Sequence, residues 1–241
     1  MKRKIKPELI IILFFAVILF LVTYFNVDAA VSVLISCAAI MVSFVIIFEM
    51  REIDAKTICI LATISAIIGV LRVPFAAIPG VQPVTFMCAV TGYSMGSVNG
   101  FMVGAMSAFI SNFFLGHGPW TLWQMMGWGL CGAFFGAFKK PIKSGGINVF
   151  ILLCGLWGYI YGFILNQWYL LQYIRPVTLK AILIGSILSF SYDSMHALGN
   201  IVFSRVFGKS FIEVLERYNR RNKIVRIMND NETESKVRDY A

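Results

Sequence analysis

Between Arg72 and Lys139 the chain runs for 66 residues without a single Asp, Glu, Lys or Arg. As one straight α-helix that run would extend ~99 Å at ~1.5 Å per residue. The hydrocarbon core of a bilayer is only ~30 Å thick. The run must therefore fold back on itself inside a membrane. Composition agrees: 59% of the residues are apolar and 14% charged, against about 45–50% and 25% in soluble domains. Soluble enzymes, disordered tails and secreted disulfide scaffolds are excluded on this ground. The net charge of +9 does not point to nucleic acid, because Lys and Arg gather on the cytoplasmic side of membrane proteins. Cys37, Cys59, Cys88, Cys131 and Cys154 all lie in apolar segments with no CxxC pair. They read as small core residues, not as disulfides or a metal site.

Eight apolar spans are expected, at residues 9–25, 29–48, 57–71, 84–95, 98–114, 120–138 and 149–168, with the last starting near 177 and running past 207. The basic start Met1–Lys6 resembles a signal n-region, but the apolar stretch after it is too long and a second span follows at once. The polar break Glu49–Lys56 marks a module boundary. It divides the chain into an N-terminal hairpin with its linker (1–53), a six-span core ending in a basic cytoplasmic helix (54–227) and a polar tail (228–241) expected to be disordered. Pro74, Pro79, Gly80 and Pro83 stop the third span. With the N-terminus inside, 18 of the 21 Lys and Arg residues fall on inner segments, and only Arg72, Arg175 and Lys180 on outer ones. This is the positive-inside pattern. The expected fold is therefore an all-α polytopic membrane protein with both termini cytoplasmic and residues 26–28, 72–83, 115–119 and 169–176 facing outward. The basic stretch Arg217–Arg226 reads as an interfacial helix on anionic lipid.

Four constellations stand out. Gly92, Gly96, Gly100, Gly104 and Ala108 recur at intervals of four, a stripe that lets helices approach closely where lipid supplies no hydrophobic drive; Gly132 and Gly136 read the same way. Ala62 and Ala66, beside Ser65 and Gly69, form a second small-residue stripe. It serves either internal packing or the docking of another membrane subunit. The third is polar and aromatic: Asn112, His117, Trp120, Trp123 and Gln124 around a Gly-rich turn, Arg72 and Gln82 in another outer segment, and Asn166, Gln167 and Trp168 at the end of the seventh span. Indoles alone make an interfacial belt. Indoles with amides and one guanidinium at the same membrane level make the lining of a small-molecule pocket.

The fourth constellation is Asp193, His196 and Asn200, near Ser189 and Tyr192 and on one helix face in the eighth span. A carboxylate near mid-membrane faces the bundle interior, as a polar clasp, as the floor of a ligand site or as half of an acid–base pair. The catalytic reading lacks a nucleophile or metal set: there is no HExxH and no GxSxG, and the chain has only two histidines. Gly208-Lys209-Ser210 ends like a phosphate loop, but position 203 is Phe, so an ATPase driving this chain would be another polypeptide.

From Asp54 to about Arg217 the chain resembles the substrate-binding membrane subunit (S component) of energy-coupling factor vitamin transporters. The resemblance is carried by Leu61-Ala62-Thr-Ile-Ser-Ala66, Arg72-Val-Pro-Phe, Pro79-Gly-Val-Gln-Pro-Val-Thr85, the glycine run from Gly92, Gly118-Pro-Trp-Thr-Leu-Trp-Gln124, Gly127 to Gly136, and Tyr192-Asp193-Ser-Met-His196-Ala-Leu-Gly-Asn200. It covers six spans, the family's number; the N-terminal hairpin is extra. The resemblance implies a non-enzymatic protein without cofactor or metal that binds a vitamin or precursor from the outer side. It also implies docking through Ala62 and Ala66 on a transmembrane coupling subunit powered by two cytosolic ATPases. On this reading Trp120, Trp123 and Trp128 wall the ligand, and Gln82, Asn112, Gln124 and Asn166 orient it. His117 belongs to the same outer loop, Arg72 pairs with an anionic or carbonyl group, and Asp193 and His196 organise the floor. The loop at 118–124 and the stretch at 192–200 look most like cobalamin-type members, with folate, pantothenate and riboflavin open. The rival readings are a solitary ion-coupled carrier titrating Asp193, an intramembrane enzyme and an assembly subunit without a ligand.

Overall fold

Helices form wherever the sequence is continuously apolar, and several of the breaks between them fall at glycines with positive φ (Gly80, Gly96 and Gly116). The structure, a computed structural model, describes residues 29–50, 53, 55–174 and 176–239; the expected span at 9–25 lies outside them. The helices are α1 (Ala29–Glu49), α2 (Ala55–Phe75), α3 (Val84–Met95), α4 (Ser97–Leu115), α5 (Trp120–Ala137), α6 (Lys139–Tyr173) and α7 (Leu179–Asp239). No strand occurs among the described residues. Four helices (α2, α4, α6 and the first 44 residues of α7) are long and apolar enough to cross a bilayer. The protein is an all-α, multi-pass membrane protein.

Most boundaries fall within a few residues of those expected, and the differences have local causes. The third span continues through Pro74 to Phe75 because the proline sits in the helix's last turn. The segment from Lys139 is already helical, and Gly146, at φ 77°, breaks it from the long helix that follows. A left-handed backbone of this kind costs glycine nothing. Helix α7 continues to Asp239, past residue 228 where a disordered tail was expected; no Gly or Pro follows Gly208 to stop it.

The centre of the bundle is α3. At twelve residues it is only ~18 Å long, and every one of its residues is buried. It can sit there because its neighbours present glycine. A methyl group on Gly92 would overlap the Gly132 carbonyl, and one on Gly132 the Gly100 carbonyl. One on Gly104 would overlap the backbone of Trp128, and one on Gly136 that of Ser97. The glycine stripe is thus the contact at which α3, α4 and α5 meet backbone to backbone. Gly96, at φ 96°, makes the reversal from α3 to α4 in one residue.

The segment joining α2 to α3 does not cap the outer end of the bundle. It curls inward against α7: a Cβ on Gly80 would stand 3.1 Å from the His196 amide nitrogen, and the ring of Phe75 meets that of Phe203 edge-on, centroids 5.4 Å apart. His196 is ~25 Å along α7 from Leu179. Gln82 is thereby drawn inside the bundle. At the other end, residues 216–222 of α7 fasten three helices. Asn222 donates to the Thr57 hydroxyl on α2 (2.8 Å), Asn219 donates to the Ser94 carbonyl on α3 (2.9 Å), and Glu216 pairs with Lys139 on α6 (2.7 Å).

Helix α1 packs on α4 and α5, with Phe44 stacked on Phe101 (centroids 3.8 Å apart) and Ile40 and Met41 against the same cluster. It leaves one face of α2 uncovered. Leu61, Ile64, Ser65, Ile68, Gly69 and Arg72 point into the bundle, whereas Ile58, Ala62, Ala66, Ile67 and Val70 are exposed. Among the described residues, internal packing therefore does not account for the Ala62–Ala66 pair.

Replacing Gly132 with Ala forces backbones apart and should cost about 2 kcal/mol. We expect the detergent-solubilised protein to melt roughly 4–8 °C lower. Gly185→Ala, whose added Cβ meets Leu170 at an ordinary 3.5 Å, should leave the midpoint unchanged.

Candidate functional site

Arg72 lies in the last turn of α2 on its inward face and is 7% exposed. Its guanidinium is held by neutral groups. Nε donates to Gln82 Oε1 (3.0 Å), and Nη1 donates both to Ser111 Oγ (2.8 Å) and to Asn112 Oδ1 (2.8 Å). Its Cζ lies 4.8 Å from the Trp128 ring centroid, within cation–π range. Asn112, 1% exposed, passes the network on: its Nδ2 donates to Thr121 Oγ1 (2.9 Å) and to Gln124 Oε1 (2.7 Å). The ends of α2, α4 and α5 and the inward-curling segment are tied together through one cation.

A second set adjoins it through Trp128. The indole Nε1 donates to Thr85 Oγ1 (3.0 Å), which lies 2.9 Å from His196 Nε2. Because the hydroxyl accepts from the indole, its own proton is free for the imidazole. Tyr161 stacks on Trp128 (centroids 4.7 Å apart) and meets the His196 ring edge-on. One residue further along α6, Gly162 makes room for the Asp193 carboxylate, which a Cβ would overlap. Asp193 Oδ2 accepts from Ser189 (2.7 Å), and Ser189 accepts from Asn166 Nδ2 (2.7 Å). Asp193 and His196 are thus engaged with separate partners and not with each other, which is not the geometry of an acid–base pair. Among the described residues no group of three or more His, Cys, Asp or Glu side chains is placed to hold a metal.

The remaining aromatic residues lie elsewhere. Trp123 lines a mostly apolar cavity of about 580 Å³ with Val31 of α1, Phe109, Thr121 and Trp168. Trp120 packs on Trp168 (centroids 5.6 Å apart), which continues into Tyr169 and Tyr173. His117 is exposed and sits among the Phe109 and Phe113 rings, apart from the buried network. Helix α5 therefore shows two faces: Gln124 and Trp128 look to Arg72, while Leu122, Trp123 and Met125 look to the cavity, with Thr121 touching both. Ser111, Thr121, Thr85 and Tyr161 are site members that single-residue chemistry did not single out. Ser111 and Thr121 are small hydroxyl residues in apolar helices, and only their spacing from Asn112 and Gln124 connects them to the network.

The interior of this multi-helix membrane protein thus carries connected amides, hydroxyls, indoles and a guanidinium. Residues 56–222 match the family described as ECF transporter, substrate-specific component. That is well over half of the chain, and the protein belongs to this family of transporter subunits, which partner the other components of an ECF module and a small-molecule substrate. The UPF0397 protein of Aliivibrio fischeri (strain MJ11) is 27% identical over 126 residues, covering 46% of this chain and 68% of the relative. The UPF0397 protein of Vibrio atlanticus (strain LGP32) is 24% identical over 187 residues, covering 70% and 96%. No solved structure matches.

Asn112→Leu keeps the volume but strips partners from Arg72 Nη1 and Gln124. Orphaned buried polar groups cost about 1–3 kcal/mol, more when charged. We expect the melting midpoint to fall by roughly 4–12 °C. Asn166→Ala, at the half-buried end of the Asp193 chain, should lower it by less than half as much.

Proposed function

We propose that this chain is the high-affinity capture subunit of an ATP-driven vitamin uptake transporter. It takes its ligand from the outer side, with both termini in the cytoplasm. The observation that carries this reading is the buried network joining Arg72, Gln82, Asn112, Gln124 and Trp128, in a chain that belongs to the substrate-specific component family. Asn166, Asp193 and His196 border the same region from α6 and α7. Trp120 and Trp123 wall its outer approach beside the cavity, and His117 lies at the rim. The core at 54–227 performs capture, with α1 packed on its α4 and α5. The ligand is a vitamin or precursor; the likeness at 118–124 and 192–200 puts cobalamin first in the panel to be tried, beside folate, pantothenate and riboflavin.

Energy comes from a transmembrane coupling subunit and two cytosolic ATPases. The exposed face of α2 supports docking there. Beside Ala62 lies a shallow apolar groove of about 260 Å³, lined by Ile58, Leu61, Ser65 and, from α4, Met102 and Met106. Small residues flanking such a groove let a partner helix approach closely.

The test is to purify the protein, identify what co-purifies, and titrate it with the vitamin panel. Saturable one-to-one binding without turnover is expected, and failure to bind any vitamin or precursor defeats the reading. For the docking face, the double variant Ala62→Trp, Ala66→Trp should bind ligand within about twofold of wild type yet lose uptake in cells supplied with the coupling module. Unchanged uptake would place the partner elsewhere. The buried Asp193 favours one rival, an ion-coupled carrier, which predicts uptake without any ATPase and its loss in Asp193→Asn.

A further inference from the structure

We propose that the captured molecule carries a single carboxylate and that Nη2 of Arg72 is its anchor, an inference that rests on the reading that this chain binds a small molecule at the network just described.

The argument begins with charge. Arg72 is buried in the membrane-embedded part of the molecule, and no carboxylate pairs with it among the described residues, whose one ion pair joins Lys139 to Glu216. Asp193, the carboxylate buried nearby in the bundle, is engaged by Ser189. A guanidinium stays protonated wherever it is placed, so its charge in the bundle is balanced only by neutral dipoles and the face of Trp128. Such a cation is costly to keep inside a bilayer unless something compensates it. The structure spends three of its five N–H groups on protein: one on Gln82 and both of Nη1 on Ser111 and Asn112. The two N–H groups of Nη2 make no hydrogen bond among the described residues. The fork is held rigidly from one side and left unused on the other.

A ligand carbonyl would satisfy those donors but leave the charge uncompensated; an anion does both. The amount of charge follows as well. No second Lys or Arg occurs from residue 73 to residue 138, and none hydrogen-bonds into the network. One positive charge matches one negative charge, so a monoanionic carboxylate fits and a phosphate dianion does not; within the vitamin panel this inference reverses the order drawn from the likeness at 118–124 and 192–200, favouring pantothenate over cobalamin and riboflavin, which carry no carboxylate, and over folate, which carries two.

The experiment uses the full-length protein in detergent. Matched acid and neutral probes are titrated (pantothenate and pantothenol, biotin and biotinamide, nicotinate and nicotinamide, lipoate and lipoamide), and co-purified small molecules are identified by mass spectrometry. The acid of at least one pair should bind tenfold or more tightly than its neutral partner, or the co-purified molecule should carry a carboxylate. Arg72→Gln should abolish the preference for the acid. Because that variant removes the centre of the network, Asn112→Asp provides a second reading: it keeps an acceptor on Nη1 and supplies the missing counter-charge internally, at the loss of the donors to Thr121 and Gln124, and should weaken the acid at least tenfold while lowering the melting midpoint less than Asn112→Leu. A neutral probe that binds as tightly as its acid, an uncharged co-purified ligand, or undiminished acid binding by Asn112→Asp overturns the carboxylate inference and leaves the capture reading standing. Absence of any bound or binding small molecule overturns both.

Discussion

A guanidinium inside a lipid-embedded bundle sets conditions on everything around it. Arg72 cannot lose its proton and lies buried on the inward face of α2, so α4 must bring Ser111 and Asn112, the inward-curling segment must bring Gln82, and α5 must bring the Trp128 face. Each of these partners is itself held. Asn112 is fixed by Thr121 and Gln124, and Trp128 by Thr85 below it and Tyr161 beside it. Hydrogen-bond networks of this kind rigidify when complete and are destabilising when broken. The ends of three helices are therefore positioned by one charge.

That convergence needs the helices to come close enough for short side chains to meet, which is the work of the glycines. At Gly92, Gly100 and Gly132 the backbones of α3, α4 and α5 touch with no room for a methyl group. Lipid gives helices no hydrophobic reason to associate, so close packing and the polar network supply the adhesion together. The short, wholly buried α3 follows from the same geometry. It does not need to cross the membrane, because the chain has already curled inward against α7 before α3 begins.

How far the sequence alone discloses this can be judged from particular residues. Helix positions were readable because apolar runs and Gly or Pro breaks are local signals, and Val84–Met95 is recovered to the residue. The glycine stripe was readable as packing because its four-residue interval is a helical property. The site was readable only in its chemistry. Amides, indoles and Arg72 announce themselves in a charge-free run, but their grouping does not: Trp123 and Gln124 are neighbours in sequence and face a cavity and the buried network respectively. Ser111, Thr121 and Thr85 carry no signal beyond being small and polar, and their roles come from which helix lies opposite. The inward path of residues 76–83 was hidden for the same reason. Prolines say that a helix stops, and only the contacts of Gly80 and Phe75 with α7 say where the chain goes next.

The placement of Arg72 relative to Ala62 bears on how capture is linked to the rest of a transport cycle. Both lie on α2, ten positions and thus ~15 Å apart along the axis, one on the face turned into the bundle and the other on the face turned out. The outer end of this helix is fixed by the polar network and its inner end by the tail of α7, through Asn222 on Thr57 and the Tyr218 hydroxyl on the Lys56 carbonyl. A helix held at both ends transmits displacement as a rigid body and cannot absorb it by fraying. Helix α7 has the same property: it carries Asp193 and His196 in the membrane and Glu216 and Asn219 beneath it on one uninterrupted element. Two rigid rods therefore join the polar network to the opposite end of the bundle. The exposed small-residue face of α2 lies on one of them, so that face and the buried guanidinium cannot move independently.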